Sequence, residues 1–114
     1  MILVSPNFEG IGPHKEYPFW MGRDDGDEIV NACIMGEEHG DPLAIAVGNS
    51  MSKLRRRRRL VVISDGVTKE EMEACGCTWY PMSQLQQAID FEIKRIDNCT
   101  VYAISNGAET FLYE

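Results

Sequence analysis

The sequence predicts an α/β fold, a mostly parallel sheet of four to five strands flanked by helices in three layers, and three observations predict it. The first is Leu60-Val61-Val62-Ile63-Ser64-Asp65-Gly66, four consecutive apolar residues, three of them β-branched, that stop abruptly in Ser-Asp-Gly. Such a run reads as a strand buried on both faces, which is the mark of a parallel sheet, and it hands the chain to a turn at its carboxyl end. Next, Thr100-Val101-Tyr102-Ala103-Ile104 followed by Ser105-Asn106-Gly107 repeats that plan. Finally, apolar residues at helical spacing, each set preceded by a cap signal, fill the intervals, so strands and helices alternate.

Taken in order, Ile2-Leu3-Val4-Ser5 is a short buried strand entered almost at the first residue. That start is abrupt, and residues 1–114 are read as a single domain cut from something larger. Pro6 to Gly12 follows as a loop in which Asn7, Glu9, Gly10 and Gly12 let backbone approach a ligand. Gly10 and Gly12 have the first spacing of a dinucleotide-binding fingerprint, but Lys15 stands where its third glycine belongs. The aromatic segment His14 to Arg23 has no clear period and reads as a loop or short helix plugging the edge of the core.

Asp25 is placed to cap a helix with Glu28 three residues on, Ile29, Val30, Cys33 and Ile34 as its buried stripe, and Gly36 as its stop. Asp41-Pro42 starts a second helix, with Leu43, Val47, Met51 and Leu54 at helical spacing and small Ala44, Ala46 and Gly48 allowing close packing. Arg55 to Arg59 begin where that helix ends, and cations there complement the carbonyl end of its dipole. After the central strand, Thr68 and Glu71 form a capping box with Val67 and Met72 as a hydrophobic staple, and Gly76 closes the short helix. Thr78-Trp79-Tyr80-Pro81 is a further short strand, and Ser83 to Gln86 a second capping box. Leu85, Ala88, Ile89, Ile93 and Ile96 mark one helix face, and Phe111, Leu112 and Tyr113 equip the tail to dock on the sheet. The alternation is Rossmann-like or flavodoxin-like. In such open sheets ligands collect outside the carboxyl ends of the strands, so Asn7, Ser64, Asp65, Asn106 and Gly107 are expected to line one rim with Glu9, Gly10 and Gly12.

Bulk properties narrow the function. A chain of 114 residues with 44% hydrophobic and 25% charged residues suits one soluble domain, and no apolar run approaches a membrane span. Nothing at the amino end resembles a secretory signal, so a cytoplasmic location and four reduced cysteines are expected. The net charge is −7, yet six of the eleven basic residues, Lys53 and Arg55 to Arg59, fall within seven positions. An acidic domain with one basic knot does not coat nucleic acid over a broad face, and no aromatic interleaves with the arginines to stack bases. The alternative to a helix-to-strand connection is a small binding module that contacts nucleic acid or an acidic partner through Arg55 to Arg59.

Catalytic patterns are sparse. His14 and His39 are the only histidines, Gly-x-Ser-x-Gly is absent, and no His or Cys spacing matches a standard zinc site. Cys75-Gly76-Cys77 lacks the Cys-x-x-Cys redox spacing and sits at a helix C-terminus, where the dipole disfavours a thiolate. Packing cysteines around a turn glycine are expected. The acidic pairs Asp24-Asp25, Glu37-Glu38 and Glu70-Glu71 belong to helix ends and solvated faces. No catalytic residue and no metal ligand is assigned.

From Glu9 onward the order of features resembles the C-terminal domain of the nickel-dependent lactate racemase family. The resemblance rests on Glu9-Gly10-Ile11-Gly12 after a strand, an aromatic segment with two helices, and the strand Val61-Val62-Ile63-Ser64-Asp65-Gly66. It continues through a short acidic helix, Tyr80-Pro81-Met82-Ser83-Gln84-Leu85-Gln86-Gln87-Ala88-Ile89, and a last strand from Val101 to Gly107. It implies part of a racemase or epimerase acting on small 2-hydroxy acids, in which a tethered nickel-pincer nucleotide takes up the substrate hydride and returns it to the other face. In that family the tethering lysine and the metal-binding and proton-transferring histidines belong to an N-terminal catalytic domain. This chain alone is therefore expected to bind no cofactor and to be inert. Ser105-Asn106-Gly107-Ala108 departs from the family's last turn, and the arginine run is not a family feature.

Overall fold

The computed structural model describes residues 1–107. Three strands, β1 (Ile2–Val4), β2 (Val61–Ile63) and β3 (Thr78–Tyr80), form one parallel sheet in the order β1-β2-β3. The register pairs Ile2 with Val61, Leu3 with Val62 and Val4 with Ile63, then Val61 with Thr78, Val62 with Trp79 and Ile63 with Tyr80. Between β1 and β2 lie α1 (Tyr17–Gly22), α2 (Gly26–Met35) and α3 (Pro42–Arg57). Helix α4 (Lys69–Ala74) joins β2 to β3, and α5 (Leu85–Lys94) follows β3 after a 3-10 turn over Met82–Gln84.

Strand β2 carries the core because it is central and buried on both faces. Side chains alternate across a strand, so β2 divides its contacts between two layers. Leu60 and Val62 meet Met51 and Leu54 of α3, Met72 of α4, and Cys75 and Cys77. Val61 and Ile63 face the other way, onto Ala88 and Leu85 of α5, with Ile2 and Tyr80 beside them. A satellite cluster of Trp20, Ile29, Ala44 and Ile45 binds α1, α2 and α3 to one another.

Local signals explain most elements. Asp41 accepts from the Leu43 and Ala44 amides and Pro42 takes the first helical position, so α3 starts where the sequence predicts. In α4 both hydrogen bonds of the Thr68–Glu71 capping box are made, and the staple residues Val67 and Met72 share one buried cluster. Gly36 and Gly76 end α2 and α4 in the left-handed region, as expected of terminating glycines. The aromatic segment folds as α1, with Trp20 buried.

Other expectations are corrected. Asp25 holds the cap position of α2 but makes no cap hydrogen bond; its carboxylate is taken by the Arg23 guanidinium at 2.7 and 3.0 Å. Ile34 is exposed, and the buried face of α3 is Ala44, Ile45, Gly48 and Ser52, not the row beginning at Leu43. Gly48 sets that rotation: a Cβ there would lie 2.5 Å from the Trp20 carbonyl oxygen, so α1 and α3 cross at near backbone contact. Ser83 caps nothing, because the chain enters α5 through the 3-10 turn, anchored by the Met82 amide donating to Asp65 at 2.9 Å. Strand β1 is an edge with Leu3 and Val4 exposed instead of buried. Residues 100–104 take no place in the sheet and are exposed, and the expected docking of Phe111, Leu112 and Tyr113 lies outside the described residues. The α/β class and parallel sense stand with three strands.

Candidate functional site

Parallel strands finish at the same end of a sheet, and here the residues leaving β1 and β2 close into one polar rim. Ser5 extends the β1 pairing by donating its amide to the Ile63 carbonyl at 3.1 Å. Its hydroxyl donates to Asn7 Oδ1 at 2.9 Å, and Asn7 Nδ2 donates to Ser64 Oγ at 3.2 Å. Ser64, fully buried, donates to the Pro6 carbonyl at 3.3 Å and accepts from the Gly66 amide at 3.2 Å. A buried hydroxyl without partners would be costly, and this one has three.

The rim depends on two unusual backbone positions. Asn7 has φ +44°, a left-handed conformation that asparagine tolerates better than other side chains do. Gly66 is required for space: a Cβ there would stand 2.0 Å from the Asn7 carbonyl oxygen and 2.3 Å from that of Pro6. Gly10 turns the loop back at φ +72°, its amide donating to the Asn7 carbonyl at 2.9 Å. Asp65 is exposed at the lip, where it fixes the Met82 amide and so ties the end of β2 to the residues after β3.

Of the predicted rim residues, Asn7, Gly10, Ser64 and Asp65 are thus brought together. Glu9 is exposed on the same loop, and Gly12 continues the loop toward Tyr17, whose ring would be 3.2 Å from a Cβ at that glycine. Asn106 and Gly107 are exposed and form no part of the closed hydrogen-bond set of the rim.

Sequence reasoning missed a second polar cluster beside the glycine loop. His14 Nδ1 makes a very short contact with Asp41 Oδ2, and the His14 ring lies 4.9 Å from that of Tyr17. Asp41 therefore serves two elements, capping α3 with one oxygen and holding His14 with the other. The His14 contact is the main influence holding the Asp41 carboxyl below the usual range. Glu16 Oε2 accepts from the Trp20 indole at 2.7 Å and the Asp41 amide at 2.9 Å, and the backbone bond leads in lowering its pKa. The signal for this pairing was weak, since 27 residues separate His14 from Asp41. The pair locks the loop onto α3 and leaves the His14 imidazole partly open to solvent.

The arginines divide. Arg55 turns inward, its side chain 12% exposed, and donates to the carbonyls of Met21, Arg23 and Cys75 as well as to Asp24. Arg56 faces Asp27 at 3.5 Å and Arg59 faces Glu92 at 3.0 Å. Arg57 and Arg58 have no acidic partner among the described residues. Arg55 is thus a structural tie, and Arg56 to Arg59 lie at the surface.

Cys75 and Cys77 are buried free thiols in the core. Burial leads the effects that push Cys75 up to about 11, so it is no nucleophile at neutral pH. A concavity of about 460 Å³ lies between α2 and α3, lined by Val30, Cys33, His39 and Ile45, and shares no residue with the rim. Among the described residues no three His, Cys, Asp or Glu side chains converge to hold a metal, and no helix is long and apolar enough to cross a membrane. No family model, curated protein or solved structure matches this chain.

Proposed function

We propose that this chain is the lid, or substrate-cleft, domain of a lactate racemase-like enzyme that interconverts the stereoisomers of small 2-hydroxy acids, the C-terminal part of a larger two-domain cytoplasmic isomerase whose N-terminal domain carries the catalytic groups. The observation that carries the reading is the rim: the loops leaving β1 and β2 are joined through Asn7 and Ser64 at the carboxyl ends of a parallel sheet, where open α/β folds bind ligands. The resemblance running from Glu9-Gly10-Ile11-Gly12 through Val61 to Gly66 supports it, since it takes in Gly10, Ser64, Asp65 and Gly66 of that rim. The three observed strands are read as the middle of a mostly parallel, Rossmann-like or flavodoxin-like sheet of four to five strands.

In this reading the nickel-pincer nucleotide, held by the partner domain, supplies uptake and return of the substrate hydride. Among the described residues of this chain no three His, Cys, Asp or Glu side chains converge to hold its metal. Their part is positional. Asn7 and Ser64 fix the loop, Gly10 and Gly12 keep backbone accessible at its crest, and Asp65 ties the lip to the residues after β3. Closing that surface over a partner domain excludes water from a hydride transfer, the role that lids play in other enzymes.

The test is an assay of enantiomer interconversion for the isolated chain and for the chain joined to its catalytic partner, each with nickel cofactor supplied. The joined protein is expected to turn over and the isolated chain to be silent. Turnover by the isolated chain would sink the proposal.

A further inference from the structure

The side of the sheet on which each helix lies determines where the chain goes after α5. Helices α3 and α4 cover the face of Leu60 and Val62, whereas α5 covers the opposite face, that of Val61 and Ile63. Crossovers between parallel strands of one sheet are right-handed in about 98% of cases. With helices on the first face, that hand carries the chain from β1 to β2 to β3. A crossover that starts at β3 on the opposite face runs the other way, past β2 and β1, to the free edge of β1.

The position of α5 agrees with that path. Its layer reaches Ile2 of β1 as well as Val61 and Tyr80. Near its end, Glu92 pairs with Arg59 at 3.0 Å, and the Arg59 carbonyl accepts from the Met1 ammonium at 2.8 Å. The chain therefore leaves α5 at the amino end of β1, where a parallel neighbour must begin. From Arg95 to Thr100 the connection can span roughly 20 Å at about 3.3 Å per residue, ample to reach an adjacent strand.

Apolar surface awaits cover on both partners. Leu3 and Val4 on β1, Phe91, Ile93 and Ile96 at the end of α5, and Val101, Tyr102 and Ile104 beyond it are each at least 40% exposed. We propose that residues 101–104, exposed and outside the three-stranded sheet in this structure, also dock on the free edge of β1 as a fourth parallel strand, pairing Ile2 with Tyr102, Leu3 with Ala103 and Val4 with Ile104. The register follows from the serines. Val4 pairs with Ile63, which aligns Ser5 with Ser64, and Ser105 ends its own run in the same way. Paired residues of parallel strands point to one face, so Tyr102 and Ile104 join Ile2 and Val4 on the α5 face.

The order becomes fourth strand, β1, β2, β3, and the chain reverses direction between the fourth strand and β1. Ligands of open α/β sheets bind in the crevice at that reversal, outside the carboxyl ends. Its walls here are the Asn7 to Gly12 loop and the Ser105-Asn106-Gly107 turn. This inference rests on the reading of a sheet of four or more strands and not on racemase chemistry.

A cross-link tests it. Neighbouring strands lie about 4.8 Å apart, within disulfide reach. In a background carrying Cys33→Ser and Cys99→Ser, the pair Leu3→Cys with Ala103→Cys is expected to oxidise to a monomeric intrachain disulfide. Leu3→Cys with Tyr102→Cys, on opposite faces, is expected to remain reduced. On the unaltered chain the amides of 101–104 are expected to exchange at least about tenfold more slowly than in an unpaired segment, and Ala103→Pro to abolish that protection. Fast exchange at 101–104, or disulfides only between two copies, overturns the inference. Slow exchange without the Leu3–Ala103 cross-link also overturns it, while leaving the larger sheet intact.

Discussion

Replacing Arg55 by alanine isolates the one arginine of the run that the fold has turned inward. Its guanidinium caps the ends of two helices, donating to Cys75 at the end of α4 at 3.0 Å and to Met21 and Arg23 at the end of α1, the latter at 2.5 Å. Hydrogen bonds from a charged donor contribute about 1.5–3 kcal/mol each, but their losses do not add. Water can replace part of the set through the adjoining cavity of about 430 Å³. The ion pair with Asp24 adds little, because that carboxylate is 82% exposed and such pairs are worth about 0–1 kcal/mol. The net cost expected for Arg55→Ala is about 2–4 kcal/mol. In urea, with a slope of about 1–2 kcal/mol per molar, the midpoint falls by roughly 1–4 M. Arg57→Ala, with no acidic partner to lose, is expected to stay within about 0.5 kcal/mol of the parent. Equal midpoints for the two variants would refute the division of the run into one structural and several surface arginines.

Further outcomes follow from the same contacts. Gly66→Ala places a methyl group against two backbone carbonyls that cannot yield cheaply, and a loss of about 1–3 kcal/mol is expected in thermal melts. The carboxyls of Asp41 and Glu16 are held low in the folded chain. Their stabilisation is therefore complete above the ordinary carboxylate range, near pH 4, and is lost as pH falls through the folded values, so melting temperature plotted against pH should drop on that side, less so for Asp41→Asn. Alkylation at pH 8 followed by peptide mass analysis should label Cys33 and Cys99 long before Cys75 and Cys77, which are buried. Titration with duplex or single-stranded DNA at low salt should give no binding; a salt-sensitive complex would restore the arginines as a ligand patch.

Much of the fold was legible where the signal was local. The capping box of α4, the Asp41-Pro42 start of α3 and the terminating glycines each act over a single turn, and each forms as read. Strand β2 was legible because burial on both faces leaves a continuous apolar run. Partners far apart in sequence were not. Gly48 rotates α3 because Trp20 of another helix lies against it, and even between near neighbours Arg23 takes the Asp25 carboxylate from its cap position, choices that no periodicity encodes. Half of the rim could be read from the strand ends, since Asn7, Ser64 and Asp65 follow two expected parallel strands, whereas the echo of Ser64-Asp65-Gly66 in Ser105-Asn106-Gly107 points to a turn that is exposed. The Asn7–Ser64 bond depends on strand pairing 57 residues apart, as the His14–Asp41 contact depends on the meeting of the loop with α3.

The most direct test of the cleft-domain account is racemisation of a 2-hydroxy acid deuterated at C2, in ordinary water, by this chain joined to its catalytic partner with nickel cofactor supplied. Transfer and return of a hydride predicts that both enantiomers form with the deuterium retained at C2. Loss of the label to solvent, or racemisation by this chain alone, would contradict the account.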